Sequence, residues 1–158
     1  MTIHIDPLQW PQLCSSVRWQ TLMQAQAPFE SEYAFKQAAS ASFAKLNESD
    51  WLEAFAGHPM IGDIESLAKK YGHGKALSEK EQAQVSGAER EVLESLLVDN
   101  QTYRDKFGFI FIIFASDKTA EQMLKALRDR INNRREQELE NASQEQMKIT
   151  LNRMEALL

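Results

Sequence analysis

Three histidines, His4, His58 and His73, are the side chains of this sequence best suited to moving a proton near neutral pH. His4 lies in the N-terminal tail and His73 between two glycines, whereas His58 stands in Gly57-His58-Pro59-Met60-Ile61-Gly62. Proline holds the preceding residue in extended conformations, so His58 has a stiff backbone at a helix–helix junction. Two roles fit it: general acid–base catalysis, or a hydrogen bond to a nearby carbonyl. Ser78, Glu81 and Gln82 follow at i, i+3 and i+4 and share one face at the positive end of a helix. A Ser-x-x-Glu capping box accounts for Ser78 and Glu81, while Gln82 is surplus to that box and keeps a polar pocket in view. Arg153 interrupts the apolar face of the last helix between Leu151 and Met154. Its guanidinium can snorkel to water, or offer a planar fork to a carboxylate ligand.

Other chemistries find little support. A single cysteine, Cys14, can make no internal disulfide and has no flanking histidine. Without a cysteine pair or two histidines at ligand spacing, no metal is expected. Gly57 to Gly62 lacks the Lys-Ser/Thr of a phosphate loop, and there is no Gly-x-Ser-x-Gly elbow. Eighteen Lys and Arg against 23 Asp and Glu leave a net charge of −5, which disfavours a nucleic-acid partner. Arg128, Arg130, Arg134 and Arg135, followed by Glu136, Glu138 and Glu140, read as a solvated charged surface.

The elements that must position these residues are mostly helical. Phe29, Tyr33, Ala34, Ala38, Ala41 and Phe43 form an amphipathic stripe between Phe29 and Leu46. Asn47 and Ser49 offer N-caps for a short helix over Asp50 to Ala56, stopped at Gly57 and barred by Pro59. Asp63 can cap another helix that ends near Gly72, Ser78 opens the next, and a longer one runs from Ala88 to Arg104. Near the C-terminus Met123, Leu124, Leu127 and Ile131 form one core stripe, and Met147, Leu151, Met154 and Leu158 another. The exception is the run from Phe107 to Ala115, whose aromatic and β-branched content suggests a strand. Alone it would lack a partner for its backbone groups, so it is expected either to turn them toward a polar ligand or to be a buried helix or core segment.

At 158 residues, with 43% apolar and 26% charged side chains and no linker or repeat, one domain is expected over residues 1–158. The expected fold is all-α, a bundle of about eight to ten helices with one buried extended or irregular apolar segment at 107–115. The longest apolar run is far short of the roughly 18–20 residues of a membrane helix, so no membrane partner is expected. The N-terminus has neither the basic nor the apolar region of a secretory signal, and a cytoplasmic protein is expected.

Three separated signatures give this chain a resemblance to a known family. Gly57-His58-Pro59-Met60-Ile61-Gly62, Ser78-x-x-Glu81-Gln82, and Tyr103-Arg104-x-Lys106-Phe107-Gly108-Phe109 through Ile113 with Ala115 occur in the order found in the 2-oxo-4-hydroxy-4-carboxy-5-ureidoimidazoline (OHCU) decarboxylases of urate degradation. Lys148-Ile149 with Arg153 is a looser fourth match, while residues 1–50 resemble the family only in helical character. The resemblance implies an all-helical homodimer that converts OHCU to S-allantoin without a cofactor. It implies that His58 and Glu81 are catalytic and that Pro59, Ser78, Gln82 and Arg153 contact the substrate. It also implies that backbone groups of Phe111, Ile112, Ile113, Phe114 and Ala115 hold the substrate's ring and ureido atoms. Phe114 departs from the pattern, standing where many members carry a small residue or Cys. The reading from another class is a helical binding module that keeps the scaffold without the chemistry.

Overall fold

The structure, a computed structural model, describes residues 2–59, 87–116 and 118–158. After a 3-10 turn at Pro7–Gln9 come α1 (Trp10–Leu13), α2 (Val17–Gln26), α3 (Glu32–Phe43), α4 (Glu48–Ala56), α5 (Gly87–Phe107), α6 (Ala120–Arg130) and α7 (Arg135–Glu155). Among the described residues there is no strand, only a lone antiparallel bridge between Ile3 and Phe29. The all-α expectation holds. Seven α-helices are described against the eight to ten expected, and the two expected to start at Asp63 and Ser78 lie outside the described residues. No described helix is long and apolar enough to cross a membrane.

The described residues fall into two compact units. The first comprises Met1–His58, Ile112–Phe114 and Leu139–Leu158. Its core is aromatic: Trp10 meets Trp19, Phe29 and Phe35 edge-on at centroid distances of 6.3, 6.3 and 6.5 Å. A second row carries this packing to α4, with Trp19 stacked on Phe43 at 5.2 Å, Phe43 on Trp51 at 5.4 Å, and Trp51 near Phe55 at 6.2 Å. Each such side chain contributes about 1.5–3 kcal/mol on burial, so α4 is held mainly by its apolar face. Its start is set locally. The Asn47 side chain accepts from the Asp50 amide while the Asp50 carboxylate accepts from the Asn47 amide, both at 3.0 Å. This capping box makes Asn47 the cap, so the helix begins two residues before the expected Asp50, and the Ser49 hydroxyl instead donates to the Asn47 side chain.

The second unit contains α5, α6 and the start of α7 up to Glu138, with α5 packed on α6. α5 ends where Gly108 takes a positive φ of 81° and its amide donates to the Arg104 carbonyl at 2.8 Å. A residue with a Cβ would be strained there. Beyond Gly108 the chain is irregular as far as Ser116, in agreement with the expected segment except that Phe107 is the last residue of α5. The suggestion of a strand is overturned. Its aromatic and β-branched content serves burial, since Phe107, Phe109 and Ile112 are all buried and Tyr103 packs against Phe107 at 4.5 Å.

On α7 the buried line shares Met154 with the expected stripe but otherwise falls on a different register. Ala142, Gln146, Thr150 and Met154 of the first unit, and Glu138 of the second, are each 0% exposed. Met147 and Leu151 are only partly buried, and Leu158 lies past the helix end, exposed. Three of the five residues on that line are polar, so counting apolar residues alone misplaces it. The solvated-surface reading of the arginine cluster likewise fails at Arg130 and Glu138, an ion pair of 2.7 Å whose side chains are 14% and 0% exposed.

Candidate active site

His58 follows the end of α4 directly. Its amide donates to the Phe55 carbonyl at 3.1 Å and that of Gly57 to Ala54 at 3.3 Å, closing the last turn. Gly57 has an ordinary φ of −74°, so its need for glycine is one of space. A Cβ there would stand 1.8 Å from Ser15 Oγ, closer than any real contact. The start of α2 is tied to the same helix, because the Val17 amide donates to Glu53 Oε1 at 2.6 Å. The histidine is therefore placed by a helix stop, a proline and close backing from residues 15–17.

The His58 ring is half-buried, and its Nε2 lies 2.6 Å from Gln146 Oε1. Gln146 Nε2 donates to Thr150 Oγ1 at 3.0 Å, and the Thr150 hydroxyl donates to the Leu13 carbonyl at 2.9 Å. One terminal nitrogen of Arg153 donates to the Gln12 and Leu13 carbonyls at 3.1 and 3.4 Å. A chain of hydrogen bonds thus runs from His58 through Gln146, Thr150 and the Leu13 carbonyl to Arg153. Two residues singled out in the sequence, 95 positions apart, belong to one polar system. Arg153 uses the end of α1 as its anchor, half-exposed beside it.

Of the other expected site residues, Pro59 is exposed in the loop after His58. Ile112 is buried and Ile113 and Phe114 are half-buried in the first unit; Phe111 and Ala115, also half-buried, belong to the second. The Phe114 amide donates to Glu145 Oε1 at 3.1 Å, and the other oxygen of that carboxylate pairs with Lys148 at 2.6 Å. Phe111 packs edge-on to Tyr103 at 5.3 Å and beneath the Arg130 guanidinium at 4.6 Å. Ser78, Glu81 and Gln82 lie outside the described residues.

Cys14 adjoins the same polar chain. Burial pushes its thiol up to about 11, against the opposing pull of the Ser16 amide, the Arg153 charge and the Thr150 hydroxyl. It is a protonated, buried thiol and not a nucleophile at neutral pH. Sequence reading missed Gln146, Thr150 and Glu145. The available signal was the spacing of Gln146, Thr150 and Arg153, four and then three residues apart, a polar stripe one register from the apolar one.

Fold and site together define a helical protein whose loop-borne histidine is oriented by a buried amide. The OHCU decarboxylase family profile matches residues 10–155, and the chain belongs to that family. It is 37% identical over 157 residues to the uric acid degradation bifunctional protein TTL of Arabidopsis thaliana, an alignment covering 99% of this chain and 48% of that protein. It is 30% identical over 138 residues to the OHCU decarboxylase of Halalkalicoccus jeotgali, covering 84% of this chain and 73% of the relative. The chain therefore spans about half the length of the plant relative. Among solved structures, an OHCU decarboxylase crystallised in the presence of (S)-allantoin superposes with a TM-score of 0.74 at 38% identity, over 97% of this chain and 98% of the other.

Proposed function

We propose that this protein is a carboxy-lyase that decarboxylates OHCU to S-allantoin in urate degradation, as one domain and without a cofactor. The observation that carries the reading is His58, fixed by a helix stop, a proline and a buried hydrogen-bond partner, in a chain matched by the family over residues 10–155. The substrate supplies its own electron sink. Its carboxylate sits on a carbon next to a C=N bond, so as CO₂ leaves, the electron pair flows into the imine and gives an enamine-like intermediate. The protein's share is orientation, proton transfer, and delivery of the new proton to one face.

In this reading His58 takes the substrate hydroxyl proton or returns a proton to carbon, and Glu81 orients the ureido N–H groups or the imidazole. Pro59, Ser78 and Gln82 contact the substrate, Arg153 anchors its charge, and amides of residues 111–115 stabilise developing negative charge. We place the protein in the cytoplasm as a homodimer; light scattering on the purified protein reads the dimer directly.

The test generates OHCU in situ from urate with urate oxidase and 5-hydroxyisourate hydrolase and follows S-allantoin by circular dichroism. A fast, enantiospecific signal is expected with the wild type, with His58→Ala slower by about 10²–10⁴-fold. A folded wild-type protein that leaves the spontaneous decay unchanged would favour the binding-module reading.

A further inference from the structure

The chain of hydrogen bonds behind His58 has only one consistent direction. A carbonyl can only accept, so the 2.9 Å contact between Thr150 Oγ1 and the Leu13 carbonyl must carry the Thr150 hydroxyl proton. With that proton committed, Thr150 Oγ1 meets Gln146 as an acceptor, which requires the amide NH₂ of Gln146 to face it at 3.0 Å. The Gln146 carbonyl is thereby turned to His58, and a carbonyl 2.6 Å from Nε2 calls for a proton on Nε2. In the neutral imidazole one nitrogen carries the proton and the other the lone pair, and the partner of the first decides which is which. An end-for-end turn of the Gln146 amide would set its NH₂ against the ring and leave two oxygens facing each other at Thr150. Both polar side chains are 0% exposed, so no water is at hand to relieve the mismatch.

We propose that Gln146, itself oriented by Thr150, is a positioning residue that holds neutral His58 as the Nε2–H tautomer and places the working lone pair on Nδ1. This rests on the reading of His58 as the proton-transfer group. The reference for direction is the main-chain carbonyl of Leu13, which cannot reverse its role. The side chains between that carbonyl and the ring, Thr150 and Gln146, are both neutral.

The experiment is ¹⁵N NMR of the histidine ring nitrogens above the His58 titration, with His58→Asn used to assign its signals among the three histidines, beside steady-state turnover of OHCU generated in situ. The wild type is expected to show the Nε2–H tautomer alone. Gln146→Leu should show both tautomers and lose about ten- to a hundredfold in kcat, with KM little changed. Thr150→Val keeps the volume but removes the hydroxyl, freeing the amide to turn, and should likewise mix the tautomers. Thr150→Ser keeps the hydroxyl and should restore the single tautomer and the turnover. A purely structural role would rank Val no worse than Ser, and that ranking would overturn the proposal. So would an Nδ1–H wild type, or a Gln146→Leu protein with unchanged ring signals. A wild type with the expected spectra but no decarboxylase activity would sink the proposed reaction and sustain the positioning. An active enzyme with the other tautomer would do the reverse.

Discussion

Two polar clusters are buried along α7, and they are built on opposite principles. At Glu138 a full charge is buried and saturated: Oε1 accepts from the Tyr103 hydroxyl at 2.6 Å and from Arg130 at 2.7 Å, and Oε2 from Asn133 at 2.9 Å. Burial and this hydrogen bond to a carboxylate both push the Tyr103 phenol well above its ordinary range. Gln146 and Thr150 instead bury neutral groups, each donating one proton in the direction away from His58, toward the Leu13 carbonyl. The charged cluster ties α5, α6 and the first turn of α7 together within the second unit. The neutral chain transmits an orientation. Charge serves stability here, and dipole direction serves the site.

The largest effect that could break this contrast is at Glu138. Glu138→Ala leaves the Arg130 charge and the Tyr103 hydroxyl buried without their acceptor, and should cost about 3–5 kcal/mol in urea denaturation. An unchanged midpoint would mean that the cluster is not the stabilising one.

Next comes pH. The Cys14 thiol is at about 11 in the folded protein against 9.0 unperturbed, so the native state holds its proton more tightly than the unfolded chain. Its contribution is therefore complete below about pH 9 and is lost between 9 and 11, amounting to about 3 kcal/mol at roughly 1.4 per pH unit. Stability curves of the wild type and Cys14→Ala should converge over that interval, and parallel curves would show that the thiol does not titrate there.

A third test works on the backing of the neutral chain. Gly57→Ala drives a Cβ into Ser15 and should cost about 1–3 kcal/mol, with Ser15→Gly relieving it. Because the displaced element carries His58, turnover should fall along with stability, sharpening the distinction from Glu138. The smallest effect is expected at Arg128, whose 2.9 Å pair with Asp99 is formed by a side chain 57% exposed. Arg128→Ala should shift stability by about 1 kcal/mol or less, the level of a solvent-screened pair.

The legible parts of the sequence were those governed by local rules. Asn47, Gly57 and Pro59 mark the beginning and end of α4 and the stiff turn at His58, and the structure places each in that role. The irregular apolar run after Gly108 was legible as an exception to helical periodicity, though its composition pointed to a strand. What could not be read was long-range. Nothing near Gly57 in sequence announces Ser15, and a stripe defined by apolar residues passes over Gln146 and Thr150 because their burial is made tolerable by partners far along the chain. Arg153 and His58 were found separately, and only the fold reveals the three residues that join them.

The bond between the Leu13 carbonyl and Thr150 spans 137 residues of chain. On the ribosome, where a chain emerges from its N-terminus, α4 and its histidine leave the exit tunnel long before residue 150 is made. Until then the Gln146 amide has no Thr150 hydroxyl to set its direction toward His58. The amide that faces His58 thus comes from a helix made well after the loop that carries it, so the order of synthesis separates the placing of this histidine from the setting of its ring.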